Sequence, residues 1–260
     1  MENDTNTNFK KYIYISILIV VISLLTIFVI NYSKSSSTYI ILDNYIVKYE
    51  DGIYDTVSFE DGKDRLFRII VDRNYLGNYY TDHYDSESDY IFFRLDDQSY
   101  VFTDQLLGLQ DNVDYIDFEK VTFNKEDLKV LNSIYSGNEF KSVKEFTEAT
   151  KAIIDLDNNG IDDIVYSVNY QLDDDYIYST VFVNLNGEIE VLDEDQGYDD
   201  GNRVINTTFS LQYIVDIDKD DKYELILSKS NNDVYSYSIY SLDEQYVESY
   251  FTGFWGWFRC

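Results

Sequence analysis

The 260-residue chain contains no proline, one cysteine, one histidine and only two alanines, Ala149 and Ala152. Each shortage removes something. A lone cysteine, Cys260 at the last position, excludes an intrachain disulfide. It also makes no prenylation motif, which needs three residues after the cysteine. With His83 as the only histidine there is neither a Cys/His zinc spacing nor a Cys-His pair. Also missing are a Gly-x-Ser-x-Gly elbow and a phosphate-cradling glycine loop. Scarce alanine, set beside 27 Tyr and 16 Phe, turns the composition from helix toward strand, so a mainly β fold is expected. The missing proline, with abundant Asn, Ile, Tyr and Lys, reads as the codon bias of an AT-rich genome. Cations are short as well: 20 Lys+Arg stand against 49 Asp+Glu, a net charge of −29. Such a surface repels nucleic acid and anionic lipid and concentrates cations, so no nucleic-acid partner is expected.

What is present begins with an apolar run. Tyr12 to Ile30 holds no charged residue. At about 1.5 Å per residue, as a helix, it crosses most of a ~30 Å hydrocarbon core. Lys10 and Lys11 precede it and only Lys34 follows closely, so the positive-inside bias places the N-terminus in the cytoplasm. Ser33, Ser35 and Ser37 would suit a signal-peptide cut, but the run exceeds the ~7–15 residues of a signal core. The expected organisation is therefore a cytoplasmic tail at 1–11, a single transmembrane anchor at 12–30 and a flexible stalk at 31–38. A β-rich region follows at 39–149, then a repetitive region at 150–260, all extracytoplasmic. An exported domain without disulfides is ordinary for a Gram-positive-type bacterium.

Within 39–149, Asp51-Gly52 between apolar runs predicts a hairpin. Asp61-Gly62 precedes a strand-like run at Leu66 to Val71, and further strands are expected at 90–95 and 98–103. One helix is expected near 124–135, with Asn124 as its cap and Leu128, Leu131 and Tyr135 on one face. Ser136-Gly137 ends it. Ser142 and Glu145 have capping-box spacing for another helical turn.

Beyond residue 150 the chain repeats. A shift of 61 residues lays 152–167, AIIDLDNNGIDDIVYS, on 213–228, YIVDIDKDDKYELILS, with four identical pairs among sixteen. Each copy reads as strand, acidic loop, strand, and Asn186-Gly187 marks a further type I′ hairpin. The first loop places Asp155, Asp157, Asn159 and Asp163 at positions 1, 3, 5 and 9, with the Ile161 backbone carbonyl at 7. Alternating oxygens that converge while Gly160 turns the chain are the donor order a hard cation such as Ca²⁺ needs. Tyr166 holds position 12 and strands flank the loop, so this is no helix-loop-helix calcium hand. The second loop offers Asp216, Asp218, Asp220 and Glu224, with the Lys222 carbonyl at position 7, but has Asp221 where glycine is preferred.

On these loops, residues 150–260 resemble the FG-GAP and VCBS repeat families, whose Asp-x-Asp-x-Asp-Gly calcium loops lie between two strands of a β-propeller blade. The resemblance implies two propeller-like blades. It also implies one calcium ligand set at Asp155, Asp157, Asn159, Ile161 and Asp163, and a second at Asp216, Asp218, Asp220, Lys222 and Glu224. Without proline the chain has no Gly-Ala-Pro element, and two blades cannot close a propeller. The expected function is a membrane-anchored, calcium-stabilised binding or adhesion module with an extracellular protein or glycan ligand. The alternative is an exported glycan-active hydrolase that uses the loops as scaffold; a bare structural spacer is the third reading. His83, between Asp82 and Asp85, is expected to be an exposed loop residue. The aromatic run Tyr250, Phe251, Phe254, Trp255, Trp257 and Phe258 is expected to form a closing strand, though such a run also suits stacking on sugars.

Overall fold

The computed structural model describes residues 20, 37–88, 90–102, 106–110, 113–135, 140–173, 176–196, 207–230, 234–242, 247–252 and 255–256. Apart from Val20, the expected anchor lies outside them, as do Ser136-Gly137, Phe254, Trp257 and Phe258. No helix among the described residues is long and apolar enough to cross a membrane. Backbone proximity divides the chain into two compact units, Met1–Ser37 with Glu50–Gly52, and Thr38–Tyr49 with Ile53–Cys260. Among the described residues three antiparallel sheets make up a fold that is mainly β with few helices.

The N-terminal sheet runs β3-β2-β1-β8-β4-β5-β6-β7. Its strands are β1 (Thr38–Leu42), β2 (Tyr45–Glu50), β3 (Ile53–Val57), β4 (Leu66–Val71), β5 (Asn74–Asp85), β6 (Tyr90–Leu95), β7 (Gln98–Val101) and β8 (Leu106–Leu109). Asp51 and Gly52 take φ of 52° and 84° at the β2–β3 turn, the left-handed pair a tight hairpin requires. Asp61-Gly62 ends a one-turn helix, α1 (Phe59–Gly62), ahead of β4. The next chain segment serves the other two sheets. Strand β9 (Asp114–Ile116) joins the sheet of β15 (Thr208–Asp216), β16 (Glu224–Ser230), β17 (Val234–Leu242) and β18 (Val247–Thr252). Strand β10 (Val121–Thr122) joins that of β11 (Phe146–Ile154), β12 (Asp163–Asp173), β13 (Tyr176–Leu185) and β14 (Glu188–Gln196). Strand β19 (Trp255–Gly256) pairs with β17, as β18 does, so Tyr250, Phe251 and Trp255 of the C-terminal aromatic run lie in strands of this sheet.

The 61-residue repeat is visible in the pairing. Ile154 opposes Asp163 as Val215 opposes Glu224, and Ala152 opposes Val165 as Tyr213 opposes Ile226. The β15–β18 sheet is the middle layer and is covered on both faces. Its Tyr213, Val215, Ile217, Ile226, Tyr237 and Ile239 pack with Ile40, Leu42, Ile70 and Leu107 of the N-terminal sheet. Its other face, with Leu211, Ile214, Leu225 and Leu227, packs with Ala152, Leu156, Val165 and Val183 of the β11–β14 sheet. Burial of both faces explains why 213–215 and 225–227 run apolar at every position instead of alternating. Equivalent residues face the same way, front to back: Ala152, Leu156 and Val165 look toward the middle sheet, while Tyr213, Ile217 and Ile226 look toward the N-terminal sheet.

The back of the β11–β14 sheet is covered by α2 (Lys125–Ile134), through Leu128, Leu131, Tyr166, Val168 and Phe182. Asn124 caps this helix by accepting the amides of Glu126 and Asp127, and the Asp127 carboxylate accepts the Asn124 amide at 2.7 Å. The other Asp127 oxygen takes the buried Lys151 ammonium at 2.7 Å, pinning the helix start to β11. Val143–Glu145 form a single 3-10 turn capped by Ser142, whose side chain accepts the Lys144 amide.

A middle layer packed on both sides tolerates no void. Ile226→Ala is expected to cost about 2–5 kcal/mol of unfolding free energy. Ile153→Ala, at a position 50% exposed on β11, should stay within about 0.5 kcal/mol of the parent. Equilibrium urea denaturation of both variants checks this contrast.

Candidate metal sites

Each acidic loop joins the first two strands of a repeat sheet, and the two loops carry the same hydrogen-bond scaffold. The carboxylate that opens the second strand turns back on the loop: Asp163 Oδ2 accepts the Leu156 amide at 3.0 Å, and Glu224 Oε2 accepts the Ile217 amide at 2.7 Å. Position 3 accepts the amide of position 5, Asp157 from Asn159 and Asp218 from Asp220, both at 3.2 Å. Position 5 accepts the amide of position 7, Asn159 from Ile161 at 2.8 Å and Asp220 from Lys222 at 2.9 Å. Positive φ falls at the same two places, Asn158 (55°) with Gly160 (85°) and Lys219 (63°) with Asp221 (67°). Asp221 therefore adopts the left-handed turn that glycine adopts in the first loop, at greater steric cost.

These bends draw carboxylates together. Asp155, Asp157 and Asp163 each offer an oxygen within 4.8 Å of the others, and so do Asp216, Asp218 and Glu224. Two acidic clusters that could hold a metal ion are thus present. The position-5 residues stand beside these triads: Asn159 turns Nδ2 toward Asp157 Oδ2 at 2.8 Å, and Asp220 lies against Asp218. At position 7, Ile161 points its side chain outward, 59% exposed, and Lys222 is half-buried. The donors are all oxygen, with no thiol or imidazole, which suits a hard cation.

Other contributors carry no sequence signal of their own. Asn186, expected only as a turn residue, closes the first loop. Its amide N–H donates to Asp163 Oδ1 at 3.1 Å, its Nδ2 donates to Asp157 Oδ2 at 3.1 Å, and its Oδ1 accepts from Asn159 Nδ2 at 2.8 Å. The second loop receives Tyr49 from β2, whose hydroxyl donates to Asp218 Oδ2 at 3.3 Å, and Tyr54 from β3, whose buried hydroxyl faces the charge of Glu224. The loops also touch directly, since the Tyr223 amide donates to the Leu156 carbonyl at 3.0 Å.

Burial makes these acids hard to ionise. Desolvation raises the pKa of Asp163 and Asp216 despite the backbone amides that bond them. Glu224, 1% exposed, is pushed well above the usual range by burial, with Asp218, Asp216 and Asp220 adding repulsion. Asp218 rises to about 6, through burial first and then the charge and hydrogen bond of Asp220.

His83 lies on strand β5 rather than in a loop. Its Nδ1 sits 3.1 Å from Asp82 Oδ2, the same oxygen that accepts Ser99 Oγ at 2.9 Å. The carboxylate stands between the ring and the hydroxyl, so this trio is not ordered for nucleophilic attack, where histidine must reach the hydroxyl itself. The hydrogen bond from His83 is the main reason Asp82 is held below the usual carboxylate range. A cavity of about 420 Å³ on the N-terminal sheet, lined by Asn44, Tyr45, Phe59 and Tyr84 among others, has no carboxylate in its lining. Compared with known proteins, the chain matches no family model, no curated protein and no solved structure.

In the metal-free chain the raised carboxylates hold protons more tightly folded than unfolded. Their contribution to stability is full below the unfolded values near ~4 and is lost as pH climbs through the folded ones, about 6 for Asp218. With chelator present, the urea midpoint is expected to fall between about pH 5 and 7. Asp218→Asn, which cannot ionise, should flatten that fall. A pH series of urea titrations in EGTA checks both, and a parent midpoint rising over the interval contradicts the assignment.

Proposed function

We propose that the chain is a calcium-stabilised, β-rich binding or adhesion module held at the outer face of a membrane by residues 12–30. The observation that carries this reading is the recurrence, 61 residues apart, of one loop scaffold that gathers three carboxylates within 4.8 Å. In the first loop Asp155, Asp157 and Asp163 would hold the ion, with Asn159 and the Ile161 carbonyl as the remaining oxygens. In the second the corresponding set is Asp216, Asp218, Glu224, Asp220 and the Lys222 carbonyl. A bound divalent cation supplies the positive charge that offsets the mutual repulsion of these acids. Calcium, with six to eight oxygens at flexible geometry, fits such irregular loops better than magnesium with its strict octahedron.

The likeness to FG-GAP and VCBS repeats draws further support from the way the repeats stack. Each repeat is a four-stranded antiparallel meander with its acidic loop between the first two strands, and equivalent faces follow one another front to back. That is how propeller blades pack. The membrane assignment rests on the uncharged run and the lysines before it, which put residues 31–260 outside, where calcium is plentiful and disulfides are not required.

Calorimetric titration is expected to give two binding events with dissociation constants of about 10⁻⁴–10⁻³ M, the range of extracellular calcium modules. Saturation a hundredfold above the dissociation constant stabilises the fold by about 2.7 kcal/mol per site. Asp157→Ala and Asp218→Ala should each delete one event. Coincident thermal melts in calcium and in EGTA would overturn the proposal.

A further inference from the structure

The two loops have the same scaffold but are closed from different directions. In the first, the outer oxygens of Asp157 and Asp163 are taken by Asn186, which belongs to the turn between β13 and β14 of the loop's own sheet. In the second, the equivalent acids Asp218 and Glu224 are met by Tyr49 and Tyr54, carried by β2 and β3 of the neighbouring N-terminal sheet. The Tyr49 and Tyr54 rings lie 4.8 Å apart, and Tyr54 is buried in the core that joins the two sheets. One loop is closed within its sheet; the other is closed across an interface.

We infer that the second acidic loop is a cation-dependent fastener between sheets, in which Tyr49 and Tyr54 report the state of the loop to strands β2 and β3. Resting on the calcium reading above, it adds that the two ions have different work: the first rigidifies its own hairpin, the second also holds the N-terminal sheet. Tyr49 and Tyr54 are positioning residues: the Tyr49 hydroxyl donates to Asp218, and the Tyr54 hydroxyl faces Glu224. When the loop is metal-free, four acids repel one another and the carboxylates spread, so their hydroxyl partners lose fixed acceptors. A cation draws Asp218 and Glu224 to one point and fixes the acceptor of Tyr49 and the carboxylate that Tyr54 faces at once, which tightens the strands that carry the tyrosines. The Tyr237 hydroxyl, which donates to Asp43 Oδ2 at 2.7 Å, is a second bond across the same interface that involves no loop acid. The interface therefore loosens rather than separates when calcium is withdrawn.

Hydrogen exchange of the full chain in detergent, with calcium chloride or EGTA, tests this. Calcium should slow exchange in the loop segments 152–167 and 213–228 and also in 45–49 and 53–57. The slowing at the tyrosine strands should be about tenfold, the worth of one charge-assisted hydrogen bond. Tyr49→Phe with Tyr54→Phe, which removes only hydroxyls, should abolish the response at 45–49 and 53–57 while both loops still respond. Asp157→Ala should leave the response of the tyrosine strands intact. Loops that respond without the tyrosine strands, or a double Phe variant that keeps the full response, overturn the fastener and leave calcium binding standing. Silence in every segment overturns calcium binding itself, and the fastener with it.

Discussion

Two carboxylates buried at the start of a strand, Asp163 and Glu224, impose the shape of everything around them. Each is 1% exposed, and an acid so placed needs hydrogen-bond donors that water no longer supplies. The nearest come from the chain that has just left the preceding strand, the amides of Leu156 and Ile217. To reach them the loop must double back within nine residues, which forces the left-handed turns at 158 and 160 and again at 219 and 221. Doubling back also brings in the acids at positions 1 and 3. The bond that makes the hairpin foldable is thus the bond that concentrates charge, so fold and ion site depend on the same atoms.

The layers amplify this constraint. Leu156 and Ile217, whose amides are captured, are also fully buried and face the adjoining sheet. Each loop is therefore anchored twice, by a hydrogen bond from its main chain and by an apolar side chain in the core below. Moving one loop disturbs the packing between two sheets. Front-to-back stacking then places every acidic loop next to the following layer, and Tyr223 bonding to Leu156 is the closest expression of that adjacency.

Local features of this fold were legible in the sequence, and long-range ones were not. The α2 cap was readable because Asn124 suits an N-cap and Glu126 and Asp127 suit a first helical turn, whereas the return bond from Asp127 to the Asn124 amide shows only in the structure. The repeat was readable because the acids that open and close each loop stand eight residues apart in both copies, 155 with 163 and 216 with 224. Strand β8 was invisible as an insertion between β1 and β4, since Leu-Leu-Gly-Leu reads as any apolar run. Its Gly108 matters only because Ile41 lies over it, where an added Cβ would come within 3.0 Å. Tyr49 could not be picked from 27 tyrosines, because its partner Asp218 is 169 residues away and no repeat includes Tyr49. Asn186 was read for its backbone, φ 54°, while its side chain serves a loop in another hairpin.

The difference between the loops follows from how each meets its costs. The first uses Gly160 at its tightest turn, leaves Asp155 and Asp157 half-buried, and draws its remaining donors from Asn186 in the same sheet. The second sets Lys219 and Asp221 in the left-handed region, buries Asp216 as well as Glu224, and adds Asp220 to the repulsion. It is more strained and more highly charged, so less of its stability is intrinsic. What it lacks within its own sheet it takes from β2 and β3, through the Tyr49 hydroxyl that donates to Asp218 and the Tyr54 hydroxyl that faces Glu224. A duplicated hairpin has in this way become a self-contained turn in one copy and a joint between layers in the other.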